Sequence, residues 1–163
     1  FAAEHGACPP VKGIEATMSD TPDELLRLAI HESAHAIAHW HFRDEIVGVT
    51  LNDHEGGGAV FGRGYSNTLI GARQQMAVTA AGAAAEGKEP TGPDAARIAS
   101  LARQICGMAA NPQALQEEID RAIVAARWLT QEYHAEIAEV ARKLVDFHQY
   151  LESVERRYET SID

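Results

Sequence analysis

One uninterrupted stretch constrains this chain more than any other. Between Asp23 and Phe42 there is neither Gly nor Pro. Just before it, Thr21-Pro22-Asp23-Glu24 reads as a capping box. Thr21 stands at the N-cap, Pro22 at the first helical position, and Glu24 reaches back. Leu25, Leu26, Leu28, Ala29 and Ile30 lead in, and Ala34, Ala36, Ile37, Ala38 and Trp40 follow. This pattern predicts one largely buried helix of about five turns over residues 21–42.

That helix carries His31-Glu32-Ser33-Ala34-His35. Two histidines four apart lie about one turn apart on one face, where two imidazole nitrogens can meet one metal ion. Glu32, beside the first histidine, can hold and deprotonate a water at that ion. This is the H-E-x-x-H pattern of zinc peptidases, in which the Glu is the general base. The bland alternative is a pair of satisfied core histidines beside a chance Glu. The cap and the unbroken helix argue against it.

With 163 residues the chain has the length of a single domain with a real core. A formal charge of -10 argues against nucleic acid as the main partner, because phosphate binding needs clustered Lys and Arg. It also disfavours anionic membrane surfaces. No apolar run approaches the roughly 20 residues that span a bilayer, so no direct membrane insertion is expected. Residues 1–20 lack the basic start and apolar core of a signal peptide. Cys8 and Cys106 are too few and too far apart for a disulfide framework or a cysteine zinc site, and fit a reducing, cytoplasmic setting.

Residues 1–20 have no periodicity and read as a flexible N-terminal arm, in which His5 and Cys8 are only incidental ligands by type. The main domain is expected over 21–155, with a frayed tail over 156–163. Residues 46–51 are rich in β-branched side chains and predict a strand; Ala59, Val60, Phe61 and Gly62 predict its returning partner. Such a hairpin is barely stable alone and should lie against the helices. Its free edge could pair with an extended peptide, which makes Ala59 to Gly62 a candidate substrate strand. Asp53, His54 and Glu55 at its turn are ligands by type, but polar residues at a turn tip are usually solvated. Residues 70–87 form a very Ala-rich helix suited to close packing on the metal-site helix. Within it, Gly82-Ala83-Ala84-Ala85-Glu86-Gly87-Lys88 spells G-x-x-x-x-G-K. Glu89 stands where a phosphate-binding loop needs Ser or Thr, and a helix precedes it instead of a strand, so nucleotide binding is rejected. Pro93 opens a further helix with Asp94 in its first turn, where an acid commonly complements the helix dipole. Two more helices follow beyond Pro112.

A catalytic zinc keeps three protein ligands and one open position. Four residues compete for the third place. His41 matches the metzincin spacing, but that pattern needs a Gly where Ala38 stands, and an unbroken helix points His41 off the metal face. His39 shares the face but lies a turn too far. Glu86 is on a helix expected nearby, and Asp94 opens another.

The order of these parts resembles the peptidase domain of the FtsH family, the membrane-bound ATP-dependent zinc proteases. The resemblance rests on His31-Glu32-Ser33-Ala34-His35, Val49-Thr50-Leu51, Ala81-Gly82-Ala83-Ala84-Ala85-Glu86 and Thr91-Gly92-Pro93-Asp94. The helix from Ala95 to Arg103 and the stretch Glu117-Glu118-Ile119-Asp120 extend it, so that it covers roughly residues 22–150. It departs from the family at Ala34, where the family has Gly, and at Ala83, where it has Arg. No AAA ATPase module or membrane span is found in these residues. The resemblance implies a mainly α fold, a helical zinc-peptidase domain with a small β-hairpin beside the metal-site helix. It implies Zn2+ held by His31, His35 and Asp94, with Glu32 as the base. Some further group should orient each ligand histidine through its other ring nitrogen, and Glu86 is the candidate. It implies a zinc-dependent endopeptidase acting on unfolded or extended polypeptides, as a homo-oligomer or with a separate ATPase partner. The rival expectation is a metal-binding scaffold that kept the site without useful turnover; the retained Glu32 favours the enzyme.

Overall fold

The computed structural model describes residues 22–52, 57–63, 68–107 and 111–159. Thr21 and the turn residues Asp53, His54 and Glu55 lie outside them, as do His5 and Cys8. Among the described residues the order is α1 (Pro22–His41), β1 (Glu45–Asn52), β2 (Gly57–Arg63), α2 (Leu69–Ala85), α3 (Gly92–Cys106), α4 (Pro112–Glu132) and α5 (His134–Glu159). The fold is mainly α, and α5 runs through residue 155, where the main domain was expected to end.

Local chemistry explains the boundaries. α1 ends in a Schellman motif: Asp44 N–H donates to His39 O at 3.0 Å and Arg43 N–H to Trp40 O at 2.9 Å, with Arg43 left-handed at φ 62°. A non-glycine there is strained by roughly 1–2 kcal/mol. α2 starts where the Thr68 hydroxyl accepts from Gly71 N–H at 3.1 Å. It stops in a second Schellman motif, with Lys88 N–H on Ala83 O at 2.9 Å and Gly87 N–H on Ala84 O at 3.0 Å. Gly87, at φ 69°, supplies the left-handed turn. The G-x-x-x-x-G-K string is thus the end of a helix and its cap, not a phosphate loop. Asn111 caps α4 by accepting from Ala114 N–H at 2.8 Å.

β1 and β2 form a two-stranded antiparallel sheet pairing Val49 with Val60 and Leu51 with Gly58, with an irregularity between Ile46 and Gly48. Both strands lie against α1. α2 is the shared helix of the core. One side, through Ala72, Met76 and Ala80, packs on Ile98, Leu101 and Ala102 of α3 and Ala122 and Ala126 of α4. Its other side, through Val78 and Ala81, packs on Ala34 and Ala38 of α1, Leu129 of α4 and Ile137 of α5. From Met76 to Ala83 every residue of α2 is buried, and such a stretch needs small side chains if its neighbours are to come close, which is why it is so rich in Ala.

Candidate metal centre

α1, α2 and the start of α3 meet at the two histidines. His31 and His35 are one turn apart on α1, and their Nε2 atoms face each other at 3.1 Å. Asp94, in the first turn of α3, brings Oδ2 to 3.6 Å from His31 Nε2 and 3.9 Å from His35 Nε2. Among the described residues this is the one group of three side chains whose donor atoms converge as metal ligands would. A tetrahedral zinc with bonds of about 2.0–2.2 Å separates its donor atoms by about 3.3–3.6 Å, close to the spacing found here.

The outer nitrogens fix the tautomers. His31 Nδ1–H donates to Glu86 Oε1 at 2.7 Å, and His35 Nδ1–H donates to the carbonyl of Val78 at 2.7 Å. A carboxylate and a carbonyl can only accept, so both rings carry their proton on Nδ1. When both rings are neutral, their Nε2 lone pairs oppose one another at 3.1 Å, with the Asp94 carboxylate beside them. Three acceptors in one place require a cation, either an added proton or a metal. Of the two rings, His31 is the one placed to take a proton. Burial works against its charge, but the carboxylates of Asp94 and Glu86 outweigh that and raise its pKa. Burial and the His31 charge lower the pKa of His35. The donor set of two imidazoles and one carboxylate suits Zn2+.

Glu86 sits on the far side of the His31 ring from Nε2, so it orients the ring and does not join the converging donors. Its other oxygen accepts from Arg27 at 2.6 Å and Lys88 at 2.8 Å. Burial alone would raise its carboxyl, but these cations and His31 hold it down at about 2. As the residue that ends α2 inside the Schellman motif, Glu86 has a backbone fixed by that cap.

Glu32 is 4% exposed, and no described residue hydrogen-bonds its carboxylate. In the metal-free site burial pushes the carboxyl up to about 7; Asp94 adds to the rise and His31 opposes it.

The other candidates go elsewhere. His39 is held by Asp44, Nδ1 to Oδ2 at 3.3 Å. His41 meets the Tyr133 hydroxyl at 3.0 Å and packs among Trp128, Tyr133 and Phe42. Ala59, Val60, Phe61 and Gly62 all fall within β2, which pairs with β1 along one edge. Three partners escaped the sequence reading. Arg27 lies four residues before His31, on its face of α1, a spacing that could have marked it. Lys88 follows Glu86 closely but carries no spacing rule. The Val78 carbonyl is backbone and leaves no side-chain signal.

Fold and site together define a mainly helical protein in which a His/His/Asp group that could hold a metal lies beside a buried glutamate. Compared with family models, curated proteins and solved structures, the chain matches none.

Proposed function

We propose that this chain is a zinc-dependent endopeptidase of the FtsH peptidase type, hydrolysing peptide bonds of unfolded or extended polypeptides. The observation that carries this reading is the convergence of His31, His35 and Asp94 next to a buried Glu32 whose carboxylate no described residue hydrogen-bonds. A purely structural metal needs no such base.

His31, His35 and Asp94 would hold the ion. Bound Zn2+ supplies Lewis acidity, polarising the scissile carbonyl and lowering the pKa of water toward about 7. Glu32 takes the proton of the attacking water and passes it to the leaving amine. Glu86 and the Val78 carbonyl hold the imidazole rings in the tautomer that leaves each Nε2 free. The edge of β2 not paired with β1, along Ala59 to Gly62, aligns an extended substrate by backbone hydrogen bonds. Folded substrates would first need unfolding by a separate ATPase partner.

The test is cleavage of an unfolded protein by zinc-loaded wild type and by Glu32→Gln, side by side. We expect zinc in both and turnover only in the wild type. Equal cleavage by the two would remove Glu32 from the mechanism. Zinc in both without any cleavage would favour the scaffold over the enzyme.

A further inference from the structure

We propose that Gly82 is a positioning residue of the metal centre, a place on α2 where a side chain would dislodge a ligand histidine. The proposal rests on the metal-site reading above. A Cβ built on Gly82 would stand 2.4 Å from His31 Nε2 and 2.6 Å from both Cδ2 and Cε1. The near-equal distances to three ring atoms put it over the face of the imidazole, at the nitrogen that faces Asp94 and His35. Carbon contacts settle at about 3.5–4.0 Å, so the ring or the helix would have to retreat by about 1 Å.

Neither is free to do so. The ring is held at Nδ1 by Glu86 at 2.7 Å. The helix is held by the Val78 carbonyl on His35 at 2.7 Å and by the contact of Ala81 with Ala34 and Ala38. Val78, Gly82 and Glu86 are spaced by four, so they line one stripe of α2. The first holds His35 through its carbonyl, the second admits the His31 ring, and the third orients that ring. A Cβ at position 82 leans toward the helix N-terminus, over the turn that presents the Val78 carbonyl. The missing side chain therefore serves both histidines. In its own helix this glycine is a liability, because Gly inside a helix is worse than Ala. Its burial against His31 explains its presence in a segment otherwise made of alanine.

The experiment combines zinc titration with thermal unfolding of the metal-free protein, for Gly82→Ala with His31 present and with His31→Ala. We expect Gly82→Ala to weaken Zn2+ binding by about 10- to 100-fold, the range seen when ligand-orienting partners are lost. The visible bands of the Co2+-loaded protein should shift as the ligand geometry changes. With His31 present, Gly82→Ala should lower Tm; in His31→Ala it should leave Tm unchanged or raise it, because the clash is gone. If Gly82→Ala alone fails to fold, the double variant should fold, and failure of that rescue would overturn the proposal. So would wild-type zinc affinity in Gly82→Ala, or an equal loss of Tm in both backgrounds. A wild type that binds no zinc would instead remove the metal-site reading, while the dependence on His31 would still judge the packing.

Discussion

At the residue scale, two acids near His31 divide the work by which nitrogen they reach. Glu86 meets Nδ1 at 2.7 Å, and Asp94 lies 3.6 Å from Nε2. Their removal should therefore have different consequences. Asp94→Ala deletes a converging donor and should weaken zinc by more than about 100-fold, beyond the loss usual for an outer partner. Full zinc occupancy in that variant, by metal analysis after dialysis, would remove Asp94 from the ligand set. Glu86→Gln keeps the shape but loses the charge that orients His31, and should cost about 10–100-fold in zinc affinity. Calorimetric titration of the two variants should rank Asp94→Ala as the weaker binder. That His31 and His35 share a face with Glu32 beside them could be read from five adjacent positions. The choice between Glu86 and Asp94 could not, since both sit at helix ends near the site and differ only in which side of one ring they reach.

At the element scale, helices were legible because their rules are local. The Gly- and Pro-free run after Pro22 became α1, the β-branched run became β1, and the alanine-rich run became α2. What spacing could not show is that the alanine-rich α2 packs in two directions. Its hydrophobic side chains face two cores at once, so no single apolar stripe marks it. Caps make the helix ends testable. Asn111 carries the N-cap bond of α4 to Ala114 N–H at 2.8 Å. Asn111→Ala should destabilise the fold by about 1 kcal/mol, with Asn111→Gly costing only a few tenths. Urea unfolding should show that order, with the His31, His35 and Asp94 group unaffected because α4 supplies none of those side chains.

At the scale of the whole molecule, α2 is tied to α4 by more than packing. Glu118 is buried on α4 and accepts from Arg73 of α2 at 2.9 and 2.7 Å, with Arg121 beside it. Arg73 in particular holds its carboxyl below the usual range, against the opposing effect of burial. A depressed pKa means that the folded state favours the charged acid. Its stabilisation is complete above the unfolded pKa and disappears as pH falls through the folded value. Glu118→Gln should lower Tm at neutral pH by about 2–4 °C, a modest loss because both guanidinium groups are largely in water. As pH falls below the ordinary Glu value of about 4.3 the difference between wild type and variant should begin to shrink, and it should vanish below the depressed folded value. A constant difference from pH 7 to pH 3 would show that the carboxylate charge contributes nothing. No helix among the described residues is long and apolar enough to cross a membrane.

By itself the sequence determined the helices, the hairpin and the pair of histidines that share a face, because each depends on residues within a few positions of one another. Only the tertiary structure shows how distant groups come to those histidines, Asp94 at the Nε2 atoms and Glu86 at Nδ1 of His31. Asp94 reaches the Nε2 atoms because α3 starts beside α1. A backbone carbonyl at Val78 locks His35 because α2 crosses one turn away, and that approach is open because Gly82 has no side chain. Metal geometry is settled over differences of an ångström between helices, and no local pattern encodes how closely two helices pack.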